Sequence, residues 1–117
     1  MYFANKDPFW VSHLITGPTH NLVKIAYAEP GYDKGIVLCA MDADKVGAIL
    51  EAREVVDPLA MCKAVLEGVE AANRALGSEY RVAVIKYCAL DSCSYGGYYR
   101  LGYQLTEWMH GQRVANG

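Results

Sequence analysis

The stretch that decides the fold spans residues 79–111, EYRVAVIKYCALDSCSYGGYYRLGYQLTEWMHG. Its first part, Tyr80 to Leu90, is rich in Val, Ile and Tyr and almost wholly apolar on both faces, which predicts a central β-strand. A polar loop containing Gly96 and Gly97 follows. The rest predicts a helix that Gly111 can end, because large apolar side chains recur there at helical spacing: Tyr98, Leu101, Leu105, Trp108 and Met109.

A second helix is predicted just before this stretch. Asp57 suits the cap of a helix start, and Pro58 suits the first helical position, where its missing N–H costs no hydrogen bond. Apolar residues then recur at helical spacing as far as Leu76, and Gly77 stands where a left-handed cap is needed. In the last helix, the interior residue Gly102 costs about 1 kcal/mol relative to alanine. We therefore expect that helix to approach the sheet or another helix closely at Gly102.

Two further strands are predicted in the first half of the chain. Asn21 to Ala28 alternates in polarity, and Gly35 to Met41 is an unbroken apolar run, so the turn-rich segment between them suggests an antiparallel hairpin. A short helix capped by Asp42 or Asp44 and ending near Arg53 follows. The whole order indicates an α+β fold: a small, mostly antiparallel sheet of three or more strands with helices packed on one face, in two layers.

The two ends of the chain show little periodicity. The 117 residues are expected to form a single domain, 1–117. Its first part, 1–20, reads as an irregular arm that carries the aromatic residues Phe3, Phe9 and Trp10. We expect this arm to fold back on its own domain rather than to cross a dimer partner. The last residues, 112–117, read as a frayed tail.

The composition narrows the classes of function. Charged residues make up 21% of the chain, its net charge is −2, and no run has a single sign, which argues against nucleic-acid binding and polybasic membrane attachment. No apolar run could span a bilayer, and the first residues lack a signal-peptide pattern, so a cytoplasmic location is expected. Hydrophobic residues make up 53%, which fits either a well-filled core or a core plus a subunit interface. Of the two we expect a homo-oligomer, most simply a dimer, because small apolar-rich domains often cover surplus apolar surface in symmetric dimers.

The loop before the last helix carries the chain's best candidate for chemistry. Backbone N–H groups at a helix start attract anions, so Ser94, Gly96 and Gly97 are predicted to form an anion-binding turn. A thiol in that position tends to have a lowered pKa, which would make Cys93 a nucleophile, with Arg100 stabilising the anion. Six residues separate this cysteine from the arginine, whereas a phosphatase loop has five. The same residues also fit a plain polar turn.

A catalytic thiol would also need a base. His20 precedes the first predicted strand and His13 lies in the arm, so either reaches the loop only if the arm crosses that end of the sheet. His110 has a structural explanation, since a cation is favoured in the last turn of a helix. Cys88 and Cys93 lack the spacing of a metal site, so neither a metal nor another cofactor is predicted.

The last helix is rich in tyrosine, and Tyr95, Tyr99 and Tyr103 share one of its sides. Tyrosine joins a large apolar ring to a polar end, which suits interfaces, although packing at the core edge explains these residues equally well. Two functions remain open. The favoured hypothesis is a self-associating binding protein that uses these three tyrosines and Trp10 as its interface and takes a protein or a small anion as partner. The alternative is a thiol-dependent hydrolase or transferase built on Cys93.

Overall fold

The computed structural model describes residues 1–16, 19–42, 56–91 and 95–116. They form five strands and two helices: β1 (Tyr2–Lys6), β2 (Phe9–Thr16), β3 (Thr19–Ala28), β4 (Val37–Ala40), α1 (Pro58–Leu76), β5 (Arg81–Tyr87) and α2 (Tyr95–Asn116). The strands lie in the order β1-β2-β3-β5-β4, and every neighbouring pair is antiparallel except β4–β5. Both helices pack against this sheet, which confirms the predicted α+β fold. Neither helix is long and apolar enough to cross a bilayer.

The prediction of an irregular arm is wrong, because β1 and β2 form a regular hairpin. Their register is unbroken from Tyr2–His13 to Lys6–Phe9 across a two-residue connection. On the face that meets the helices, Phe3 stacks on Trp108 of α2 with ring centroids 5.5 Å apart. The arm therefore does fold back on its own domain. Its alternation is hard to read in the sequence because apolar residues also lie on the outer face of these strands.

The predicted hairpin of the next two strands is also wrong. β5 lies between β3 and β4, pairing antiparallel with the first and parallel with the second. β5 takes an interior position rather than an edge, as predicted, because that strand is apolar on both faces apart from Arg81 and Lys86. β4 has four residues, and its exposed Val37 and Cys39 suit a sheet edge. The helix predicted from Asp42 or Asp44 to Arg53 falls almost wholly outside the described residues.

The structure confirms both predicted ends of α1. The Asp57 carboxylate accepts the N–H of Leu59 at 3.0 Å, and Gly77 has a φ of 66°. By contrast, the prediction that α2 ends at Gly111 and leaves a frayed tail is wrong, since the helix continues to Asn116. Arg113 explains the extra turn: its guanidinium lies over the rings of Trp10 and Tyr80, which holds the last turns against the sheet.

Two glycines set the contact between the helices. A Cβ on Gly102 would collide with backbone atoms of Val65 in α1, including the carbonyl oxygen. A Cβ on Gly68 would likewise lie 2.8 Å from the backbone nitrogen of Tyr103 and even closer to the carbonyl oxygen of Tyr99. Each helix therefore presents a glycine to the backbone of the other. The close approach predicted at Gly102 is confirmed, and its partner is α1.

Candidate functional site

The structure shows part of the predicted loop site. β5 ends at Tyr87 and α2 begins at Tyr95, so the strand–loop–helix arrangement is present. Cys93 and Ser94 lie outside the described residues, and of His20 only the backbone, within β3, is described. The thiol-nucleophile hypothesis therefore stays a prediction.

The other predicted members of this site lie on α2. Gly96 and Gly97 form its first turn, the former exposed and the latter buried, and Arg100 is exposed one turn later. The anion-binding role of these residues also stays a prediction. His13, the other candidate base, is half-buried in the middle of β2.

Two aspartates anchor the chain where β5 leads into this loop. Asp42 accepts the backbone N–H groups of Ala89 at 2.7 Å and Leu90 at 3.0 Å. Asp91 accepts the N–H of Leu22, near the start of β3, at 2.8 Å. Carboxylates that accept backbone N–H groups hold a connection in one conformation. From the sequence, Asp42 is predicted only as a helix cap, because its contact with residues 89 and 90 forms between segments far apart in the chain.

A polar and aromatic cluster joins α2 to the sheet. The hydroxyls of Tyr27 and Thr106 share a hydrogen bond of 2.9 Å, and the hydroxyl of Tyr80 shares one of 2.6 Å with Nδ1 of His110. Burial of the Tyr27 hydroxyl raises its pKa well above the ordinary value, although the Thr106 hydrogen bond lowers it. His110 therefore forms a hydrogen bond with a tyrosine. The prediction that it lies in the last turn of the helix is wrong, because α2 continues to Asn116.

The four residues predicted to form an interface have different environments. Trp10 is only 8% exposed and packs edge-on against Trp108, with ring centroids 5.6 Å apart. Tyr95 is half-buried, and its hydroxyl accepts the backbone N–H of Asp57 at 3.4 Å. These two side chains therefore contribute mainly to packing and hydrogen bonding within their own chain.

The remaining two tyrosines form an outward-facing pair, named here the tyrosine pair: Tyr99 and Tyr103. Their rings are nearly parallel, with centroids 6.5 Å apart and an interplanar angle of 22°. Tyr99 is 41% exposed and Tyr103 is half-buried, whereas the neighbouring Tyr98 is fully buried. The tyrosine pair lies directly above Gly68 of α1, where the two helix backbones meet.

A cleft of about 770 Å³ opens between the β3–β4 loop, α1 and the start of β5. Its apolar wall includes Leu66 and Val69, while Glu70, Arg74 and Arg81 bring charges of both signs to its rim. Sequence reasoning missed this cleft because its walls come from three separated segments. Within the described ranges, no group of three or more His, Cys, Asp or Glu side chains could hold a metal ion.

No protein-family model, curated protein or solved structure matches this chain.

Proposed function

We propose that this chain is a small, cytoplasmic, self-associating binding protein that contacts a protein partner through the tyrosine pair. The observation that carries the proposal is the exposure of Tyr99, 41% of whose surface is open, stacked on the ring of Tyr103. Tyrosine supplies large contact area with few rotatable bonds, and its hydroxyl can bond a partner after the ring is buried. These properties make tyrosine a frequent centre of protein interfaces.

The backbone beneath the tyrosine pair supports this proposal. Gly68 brings α1 into contact with the backbone of Tyr99 and Tyr103, so the two rings project from a helix that is already fixed. A surface that is ordered before binding loses less conformational entropy when a partner arrives. Further apolar surface on the helix layer comes from Leu59, which is 76% exposed in the first turn of α1. Arg100, exposed next to Tyr99, adds a charged group.

The test compares variants that remove each ring. Tyr99→Ala and Tyr103→Ala are immobilised beside the unmodified protein, and proteins retained from an extract of the source cells are identified and purified. Calorimetry then measures the affinity of the purified partner for each variant. Loss of a central interface tyrosine typically costs about 2 kcal/mol or more, so we expect Tyr99→Ala to bind roughly 30-fold more weakly.

Tyr32→Ala is the matched control, because Tyr32 is a half-buried tyrosine in the β3–β4 loop, on a different part of the surface. It should leave the affinity unchanged. Equal affinity of the unmodified protein, Tyr99→Ala and Tyr103→Ala would refute the partner surface. Self-association is measured separately, by sedimentation velocity over a range of protein concentrations. A monomer at every concentration would refute that half of the proposal.

A further inference from the structure

The free edge of β1 offers a contact for the proposed self-association. Within the described residues, β1 pairs on one side alone, with β2, and forms one end of the sheet. Such an edge presents unpaired N–H and C=O groups, and proteins usually protect it with a bulge, a proline or charged side chains. β1 reads YFANK: it contains no proline, its pairing with β2 shows no register shift, and its one charge is Lys6 at the end.

We infer that β1 of a second copy pairs antiparallel with this edge, so that two five-stranded sheets join into one continuous sheet. The inference rests on the proposed self-association but not on the tyrosine pair. Its occupant is a second copy because β1 is complementary to itself. An antiparallel twofold pair places each residue opposite a residue of the same strand, and here no pair of like charges results.

The two faces of β1 determine the register. Phe3 packs under Trp108 on the helix face, so Tyr2, Ala4 and Lys6 point to the outer face. Residues directly opposite each other in a ladder share a face of the sheet. If both helix layers lie on the same side of the joined sheet, outer-face residues must therefore pair with outer-face residues, and helix-face residues with helix-face residues. Centring the twofold axis on Ala4 gives the largest number of pairs: Tyr2 with Lys6, Phe3 with Asn5, and Ala4 with itself.

This register makes favourable contacts on the outer face. It sets the Lys6 ammonium of each copy beside the Tyr2 ring of the other, and that ring is 57% exposed in the single chain. A lysine over an aromatic ring is favourable. The same outer face already contains such a contact within one chain, where Nζ of Lys86 lies 4.3 Å from the centre of the Phe9 ring.

The helices leave room for the joined sheet. α2 packs mainly over β2. Strands in a sheet are about 4.8 Å apart, so β2 of one copy and β2 of the other are separated by three spacings, roughly 14 Å. Packed helices need about 8–10 Å between their axes. The two α2 helices therefore fit side by side without overlap, near the Phe3–Trp108 stacks of the two copies.

A cysteine placed on the proposed axis tests the register. In Ala4→Cys the two thiols would lie directly opposite each other, with Cα atoms about 5 Å apart, within the range of a disulfide. Lys6→Cys is the matched control on the same strand and face. Its two Cα atoms would be offset by four residues, roughly 14 Å, too far for a disulfide. Mild oxidation should therefore cross-link Ala4→Cys and leave Lys6→Cys at the background of the unmodified protein, whose own Cys39 is exposed.

Two further variants separate this contact from the tyrosine pair. Ala4→Lys puts two ammonium groups opposite each other on the axis and should weaken dimerisation at least tenfold, with circular dichroism to verify the fold. Tyr99→Ala should leave the dimer intact. Two outcomes would overturn the edge contact: dissociation of the dimer by Tyr99→Ala but not by Ala4→Lys, or failure of Ala4→Cys to cross-link a protein that is a dimer. In either case the dimer would use another surface. If the unmodified protein is a monomer, both the edge contact and self-association are overturned, and partner binding by Tyr99 is judged separately.

Discussion

Gly102→Ala gives the sharpest test of the helix packing. In an exposed helix, alanine is more stable than glycine by about 1 kcal/mol. At Gly102, however, the added Cβ would lie 3.1 Å from the carbonyl carbon and 3.2 Å from the Cα of Val65, and closer still to its carbonyl oxygen. Carbon atoms pack best at about 3.5–4.0 Å. Because all these neighbours belong to the backbone, no side chain can rotate away and the helices must separate.

The expected magnitude follows from two opposing contributions. An extra methyl group in a filled core costs about 1–3 kcal/mol, and the backbone contacts place this site near the upper end. The gain of about 1 kcal/mol from replacing glycine leaves a net loss of roughly 2 kcal/mol. Urea unfolding of a protein this small has a slope of about 1–3 kcal/mol per molar. We therefore expect the urea midpoint of Gly102→Ala to fall by about 1 M.

Gly111→Ala is the matched control, since Gly111 lies in the same helix and is exposed, and an added Cβ would meet nothing within 4 Å apart from its chain neighbours and the backbone of its own helix. It should raise the free energy of unfolding by up to about 1 kcal/mol. The two alanine variants should thus move the midpoint in opposite directions. A Gly102→Ala protein as stable as Gly111→Ala would show that the helices do not meet backbone to backbone. Gly68→Ala should be destabilising for the same reason, and the double variant should cost less than the sum, because both glycines serve one crossing.

Three further predictions concern individual hydroxyl groups, and urea unfolding measures each. Ser12 is fully buried, and its hydroxyl has no hydrogen-bond partner within the described residues, so Ser12→Ala should leave the free energy of unfolding unchanged or raise it by about 1 kcal/mol; a clear loss would show that the hydroxyl is bonded. Tyr80→Phe removes the hydrogen bond to His110 and should cost about 1 kcal/mol, whereas an unchanged midpoint would argue that water replaces it fully. The raised pKa of Tyr27 means that above pH 10 its hydroxyl ionises in the unfolded chain but not in the folded one, so stability should fall as pH rises. Tyr27→Phe should reduce that fall by up to about 1.4 kcal/mol per pH unit. Identical dependence of stability on pH in the two proteins would contradict a raised pKa at Tyr27.

Local signals in the sequence predicted the elements whose ends are set by neighbouring residues. Asp57 and Gly77 set the two ends of α1 through contacts with residues only a few positions away. The residues that fix these ends can therefore be recognised in the sequence next to the helix. The apolar character of both faces of β5 likewise predicted a central strand. Gly102 predicted a close approach because an interior glycine destabilises its helix, and close packing against a neighbouring element can compensate for that cost. The α+β class followed from these elements.

The candidate surface was only partly visible in the sequence. Helical spacing placed Tyr95, Tyr99 and Tyr103 on one side of α2, but spacing alone cannot tell which ring a neighbour covers. The backbone N–H of Asp57, at the start of α1, bonds the hydroxyl of Tyr95. Gly68 lies against the backbone of the other two, whose rings are exposed at Tyr99 and half-buried at Tyr103. Trp10 was also predicted to lie in an interface, but the β1–β2 hairpin packs it against Trp108.

The sequence by itself thus determined the two-layer class, the caps of α1 and the need for a close contact at Gly102, because each depends on the conformations of residues near in the chain. The tertiary structure alone decided that β5 separates β3 from β4 and that residues 2–6 and 9–16 form strands, because strand pairing depends on which distant segments meet. It also decided that α2 continues to Asn116, because Arg113 finds the rings of Trp10 and Tyr80 only after the chain has folded. A periodic pattern shows which face of an element is covered but not which distant element covers it, so these features could be read only from the folded chain.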